Sequence, residues 1–476
     1  MKQVSKWMLL ALLAFAQFMV VLDTSVVNVA LPAIKQSLHF SENNLQWVIT
    51  AYALTFGGFL LLGGRAADLF GRRRTLLTGM VGFTVFSLLI GLSASPTMLI
   101  VLRALQGIAA ALMSPAALSI VLITFREGKD RNTALGVWST VAAGGAAAGL
   151  LLGGALSQYL NWRWNFFVNV PIGIIVSSLI FRMVPVHAKE VDHNDLDLPG
   201  AVLVTGGLMG LVYSLSQAPV HGWLSGSTLG VGAAALALLA AFVFNESRSK
   251  HPLMPLSIFR IRNVVAANVM MAPLYAGMLG IFFLTSLYIQ TVLHYSPVVT
   301  GLSFLPFPLM IATIANIVPK FIGKVGYKPF LIAGPALVGA SLLWLTHLPV
   351  HGHYLTNLLP AFIVMPLGVG MTIVALTIAA TSGVPAKESG LASGLMNTSQ
   401  QMGGALGLAV LSGVAASASA SASALGPVGA LVHGDDRAFL VAVVFMAFVL
   451  VVALFGVKQR RKGAAGTHHT PVEVGV

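Results

Sequence analysis

Fourteen apolar segments of roughly twenty residues recur along this 476-residue chain, and each is long enough to cross the ~30 Å hydrocarbon of a bilayer as a helix. They centre near residues 20, 54, 84, 110, 145, 173, 208, 236, 276, 308, 338, 366, 402 and 447, and are numbered spans 1 to 14 in that order. Those near 208 and 236 are rich in Gly and Ala, and the one near 402 is rich in amides. With 57% hydrophobic and only 9% charged residues, a soluble chain of this length would precipitate. The expected fold class is an all-α integral membrane protein with both termini in the cytoplasm. The first apolar run follows Lys2 and Lys6, as in a secretory signal. It is too long for one, lacks a convincing cleavage site and carries Asp23, so it reads as span 1. The absence of cysteine excludes disulfides, thiolate metal sites and thiol nucleophiles.

A net charge of +13 invites a nucleic-acid reading, which the distribution of the charge rejects. With alternate loops inside, only Lys35, Arg163 and Arg437 fall outside, and Arg103 falls within a span. Every other Lys and Arg is cytoplasmic, as the positive-inside rule requires, and only an even number of spans produces that pattern. The basic tail KQRRK reads as an anchor against anionic lipid.

The chain also echoes itself. GRAADLFGRRR (64–74) after span 2 returns weakly as PKFIGKVGYKP (319–329), and REGKDR (126–131) as PAKESG (385–390). This spacing leaves two extra spans in the middle. The expected organisation is six spans over 1–184, two linking spans with flanking loops over 185–262, six more over 263–457, and a disordered tail over 458–476. The Ala/Ser run 415–425 ends a span. Parallel repeats of this kind place substrate at their interface near the membrane midplane.

Several motifs carry a resemblance. FMVVLDTSVVNVALPAI in span 1, GRAADLFGRRR, LIVLRALQGIAAA in span 4 and NWRWNFFVNVPIG entering span 6 resemble the major facilitator superfamily. With DLDLPG, HPLMPLSIFRIRN and GLASGLMNTSQQMGGALGLAVL, the resemblance is to its fourteen-span drug:proton antiporter branch and runs nearly the whole length. It implies a major facilitator fold arranged as 6+2+6 and proton-driven efflux of bulky apolar compounds by alternating access. A bacterial plasma membrane, a small-molecule substrate and a monomer are also expected. The proton is the coupling ion and there is no other cofactor. No P-loop is present, so ATP is not the energy source.

Asp23 and Arg103 are the charges expected deep in the membrane, where an ionised group costs a few kcal/mol and marks an ion or substrate path. Asp23 lies roughly 22 Å up span 1, and Arg103 roughly 9 Å down span 4 from the opposite face, at ~1.5 Å per residue. Both therefore sit at one level. The resemblance implies that spans 1 and 4 are neighbours, so a switchable pair is expected, with Gln106 one turn further on as a bridging partner. A permanent structural ion pair is the alternative. Asp23 is read as the only carboxylate within a span.

The loop 64–74 is expected to act as a conformational latch, by resemblance one that stabilises the outward-facing state. Gly64 and Gly71 would permit close approach and a turn, Asp68 would bond a neighbouring arginine, and Arg72 and Arg73 would complete it. The alternative is that Arg72 to Arg74 are topology signals alone. Span 5 departs from the family pattern, with Ala146 and Leu150 where prolines are expected. Gly145, Gly149, Gly153 and Gly154 still offer a small-residue packing face. The missing prolines favour a second reading, a proton-symporting or facilitative carrier on the same fold.

Candidate cavity residues are Gln17, Asn28, Tyr52, Asn268, Tyr275, Tyr288, Gln290, Asn397 and Gln401, with Met19 and Met271 as adaptable packing. Buried amides and tyrosines also serve simply to bond helices together. His347, His351 and His353 sit in an outside loop without an acid or thiol and read as solvated; no metal site is expected. No histidine is read at depth in a span, which argues against an intramembrane enzyme.

Overall fold

The computed structural model describes residues 5–125, 129–184, 197–249, 252, 256–381, 384 and 389–457. The tail 458–476, most of the loops read around 185–196, 126–128 and 385–388, and the side chain of Asp68 lie outside the described residues. Among the described residues, fourteen helices are long and apolar enough to cross a membrane, and each contains one of the expected centres. Spans 1 to 6 are Lys6–Leu38, Trp47–Ala67, Arg72–Gly91, Pro96–Thr124, Thr133–Tyr159 and Trp164–Met183. Spans 7 and 8 are Leu198–Ala218 and Gly226–Arg248. Spans 9 to 14 are Arg262–Thr291, Pro297–Ile322, Lys328–Leu345, Tyr354–Ala380, Ala392–Ser421 and Ser423–Phe455.

Helix packing repeats with an offset of eight. Span 1 packs on span 5, span 2 on span 4 and span 3 on span 4; span 9 likewise packs on span 13, span 10 on span 12 and span 11 on span 12. The two sets meet through spans 5 and 10 and through spans 2 and 13, with span 7 laid against spans 2 and 13.

The outer ends of the two sets are tied together. Pro32 interrupts the ladder of span 1, because a proline has no N–H to give the carbonyl four residues back. That carbonyl, Asn28 O, accepts instead from Ser286 Oγ of span 9 at 2.7 Å. One residue on, Val29 O accepts from Gln290 Nε2 at 3.0 Å. Gln46 Oε1 accepts from Ser412 Oγ at 2.6 Å, and Gln158 Oε1 from Val298 N at 3.2 Å. A backbone contact completes the seal: a Cβ at Gly301 would come 2.2 Å from Leu150 O.

Two expectations are corrected here. Span 14 begins earlier than the run centred on 447 suggests, so Asp435, Asp436 and Arg437 belong to a helix rather than an outside loop. Asp435 is 3% exposed and lies twenty residues before Phe455, roughly 30 Å from the inner end and thus near the outer hydrocarbon boundary. Glu246, also 3% exposed, ends span 8 on the inner side. Asp23 is therefore not the sole carboxylate on a spanning helix. The charged cluster of residues 433–437 hid the start of span 14 from a hydropathy reading.

In the echo segment 319–329, Tyr327 Oη accepts from Asn263 Nδ2 at 3.2 Å, and Lys328 Nζ donates to Leu454 O at 2.9 Å.

Candidate functional site

Span 4 is set in place at its outer end. Ser95 caps it, accepting from Met98 N at 3.3 Å, with Pro96 at the first helical position. Arg163 from the NWRWN segment donates from Nη1 to Gly91 O at 2.8 Å and Ser93 O at 2.7 Å, pinning the turn between spans 3 and 4. At Gly107 the helix closes on span 2, where a Cβ would come 2.5 Å from Tyr52 O. Only glycine allows that approach, and it brings Arg103 against the backbone of span 2.

Arg103 Nη1 donates to Asp23 Oδ2 at 2.5 Å and to Gln106 Oε1 at 2.6 Å. Its Nε donates to Val48 O at 2.9 Å. Gln106 Nε2 reaches Asp23 Oδ1 at 3.0 Å and Ser87 Oγ at 2.8 Å, and Asn169 Nδ2 reaches Asp23 Oδ1 at 3.1 Å. The guanidinium carbon lies 4.3 Å from the centroid of the Tyr52 ring. Asp23 is wholly buried and Arg103 is 1% exposed. Charges so desolvated are tolerable only when paired and multiply hydrogen-bonded, and this carboxylate accepts from three side chains. The structure thus joins Asp23, Arg103 and Gln106 as the depth estimate expects. It adds Ser87 and Asn169, which no spacing argument could find, although Asn169 lies in the quoted NWRWNFFVNVPIG motif.

Beside this network is a central cavity of about 400 Å³ between the two sets of six spans. Gln17, Asn28, Tyr52, Tyr275, Asn397 and Gln401 line it, as expected. Three candidates do not. Asn268 is spent between helices, donating to Val264 O at 2.8 Å and accepting from Ser399 Oγ at 2.7 Å. Tyr288 is buried away from the cavity and donates to Pro349 O at 2.6 Å, while Gln290 serves the outer seal. Met19 and Met271 are core residues, and Met278 lines the cavity instead. Phe56, Phe282 and Phe307 give it an aromatic wall, and Ser114, unremarked in the sequence, donates to Gln17 Oε1 at 2.8 Å. Among the residues lining the cavity, Arg103 alone is charged.

Span 5 packs through its glycines. A Cβ would come 3.1 Å from Phe18 O at Gly145, 2.8 Å from Leu22 O at Gly149 and 2.8 Å from Val26 Cα at Gly153. These three set span 5 on span 1. Gly154 faces the other way, onto Pro297 O at 2.5 Å. Ala146 and Leu150 line the cavity, and the helix Lys129–Tyr159 runs unbroken.

The inner loop between spans 2 and 3 turns at Gly71, whose φ of 93° suits glycine. Gly64 is not the close approach: it would meet only Pro115 Cβ, at 3.9 Å, whereas a Cβ at the preceding Gly63 would come 1.9 Å from Ala111 O. The sequence pattern could not separate two adjacent glycines that point to different neighbours. Arg72 Nε donates to Ser119 Oγ at 2.7 Å, and Arg73 Nη2 donates to Phe181 O.

Residues 13–408 match the Major Facilitator Superfamily. The chain belongs to this superfamily. Over 94% of its length it is 38% identical to the puromycin resistance protein pur8 of Streptomyces alboniger, covering 90% of that protein. It is 38% identical to the cephamycin export protein CmcT of Amycolatopsis lactamdurans, over 97% of this chain and 95% of that one. The tetracenomycin C resistance and export protein of Streptomyces glaucescens is 38% identical over 86% of this chain and 76% of its own. Among solved structures, the peptide transporter POT in complex with sulfate superposes with a TM-score of 0.69 at 17% identity, over 94% of both chains. That likeness is one of fold. This superfamily member is a multi-pass cytoplasmic-membrane transporter and not an enzyme.

Proposed function

We propose that this chain exports bulky, largely apolar small molecules by alternating access, driven by the proton gradient through Asp23. The observation that carries the reading is the wholly buried Asp23–Arg103–Gln106 network forming the back of one wall of the central cavity. A carboxylate shut away from water and held by three donors exchanges its proton only when its surroundings rearrange. That is what couples protonation to a change of state. Similarity to proteins named for puromycin resistance and cephamycin export supports outward transport, and antibiotic-like compounds suit the aromatic and amide-lined wall.

In this reading residues 1–184 and 263–457 are the two moving bundles, 185–262 links them and the protein works as a monomer without ATP. The loop holding Gly64, Asp68, Gly71, Arg72 and Arg73 latches the inner end when the protein faces outward. Asp68→Asn should then insert normally and lose transport; full transport by a well-expressed variant would leave the loop a topology signal only. The facilitator reading stays in view because Ala146 and Leu150 leave span 5 unbroken beside the cavity. Proteoliposomes with an imposed pH gradient, assayed on a panel of antibiotics and dyes with and without a protonophore, decide between them. Accumulation in vesicles that are acidic inside supports export; accumulation in vesicles placed in acidic medium gives the symporter, and protonophore-insensitive equilibration gives the facilitator.

A further inference from the structure

The geometry points to a subsite in the cavity for an acidic oxygen group on the transported compound, received by Arg103 Nη2 and the Tyr52 hydroxyl. This rests on the central cavity being the substrate site of the proposed exporter. The hydrogen bonds of Arg103 leave from Nε and Nη1; among the described residues Nη2 makes none. Arg103 nevertheless lines the cavity, whereas Asp23 does not and is wholly buried. The ion pair is neutral in sum but oriented, with its positive end toward the cavity and its negative end behind it. Among the described residues, no other charged side chain lines the cavity to oppose that field. An oxyanion is attracted into such a corner and an organic cation is repelled.

Tyr52 supplies a second, independent observation. Its side chain is 1% exposed, its ring stacks on the same guanidinium, and its hydroxyl has no hydrogen-bond partner among the described residues. A buried hydroxyl left unpaired costs free energy that a ligand oxygen would recover. A planar guanidinium edge beside a hydroxyl donor matches a carboxylate, a sulfonate or an enolate. Across the cavity wall, Asn28 Oδ1 is buried and also without a partner, although its amide nitrogen donates to Thr24 O at 3.0 Å. It asks for a donor, a hydroxyl or an amide N–H. The ligand class is therefore an amphiphile with a bulky aromatic or alicyclic body, one acidic oxygen group and a hydroxyl or amide donor.

A matched probe pair tests this on the full chain in nanodiscs of zwitterionic lipid. Anilinonaphthalene sulfonate and phenylnaphthylamine share one aromatic skeleton and differ by the sulfonate; both report binding by fluorescence, with empty nanodiscs as the blank. The sulfonate should bind at least about tenfold tighter than its neutral partner, and ethidium, a cation of similar bulk, should bind more weakly than either. Arg103→Gln should abolish that preference, so that within the variant the sulfonate and neutral probes bind alike. Tyr52→Phe, which keeps the ring and removes only the hydroxyl, should reduce the preference severalfold. Equal affinity of the two probes in the native chain, or a preference that survives Arg103→Gln, overturns the subsite. Should Arg103→Gln fail to fold, an unchanged preference in Tyr52→Phe overturns it alone. Failure of export with binding preference intact would instead count against the exporter reading.

Discussion

Arg103 Nη1 meets Asp23 Oδ2 at 2.5 Å in a site where the carboxylate is wholly buried and the arginine 1% exposed. Two charges in that setting are worth little as a net contribution to stability, yet removing one alone is costly, because the other is left buried without a countercharge.

Arg103→Ala should therefore destabilise the protein by about 3–5 kcal/mol. The double variant with Asp23→Ala should lose less than the sum of the two single variants, with a coupling of about 1–3 kcal/mol. Thermal unfolding in detergent, followed for the four proteins of the cycle, checks this. Additive losses would mean that the pair does not interact.

Span 5 offers a contrast within one helix. Gly149→Val must push into Leu22 O and Ser25 Cβ, which a Cβ would approach at 2.8 and 2.6 Å. Overpacking of this kind costs about 1–3 kcal/mol, so the variant should unfold earlier and transport poorly. A Cβ at Gly144, on the same helix, would meet nothing within 4 Å, and Gly144→Ala should be neutral in both assays.

The outer seal depends on carbonyls of span 1 near Pro32. Ser286→Ala with Gln290→Ala removes the donors to Asn28 O and Val29 O. The chain contains no cysteine, so spin labels introduced at 160 and 355, exposed positions at the outer ends of the two sets, report one distance. The double variant should show a longer or broader distance distribution than the native protein, measured by pulsed electron resonance. An unchanged distribution would show that the seal is held elsewhere, as at Leu150 and Gly301.

How far the sequence could be read divides along physical lines. Span number follows from length and charge sign, and the equal depth of Asp23 and Arg103 from rise per residue, all local quantities; that spans 1 and 4 are neighbours is what the resemblance implies. Asn169 and Ser87 reach the network from spans 6 and 3, Asn169 at Asp23 itself and Ser87 through Gln106, and their approach depends on helix rotations that no spacing encodes. The polar residues of the spans were the least legible. Asn28 faces the cavity, whereas Gln290, equally polar and equally in a span, is consumed by a backbone carbonyl. Asp435 escaped because four polar residues, at 433 and 435–437, interrupt the apolar run of span 14, yet the helix continues through them.

The central claim, that Asp23 couples the proton to transport, is tested most directly by Asp23→Asn in proteoliposomes carrying an imposed pH gradient, with a dye or antibiotic that the native protein accumulates. Asparagine mimics a carboxyl that never releases its proton and keeps the acceptor for Arg103. The variant should bind the compound within about tenfold of the native protein, or 1.4 kcal/mol, and should show no gradient-driven accumulation. Accumulation at the native rate would contradict the account and move the coupling to another carboxylate, with Asp435 of span 14 the first to examine.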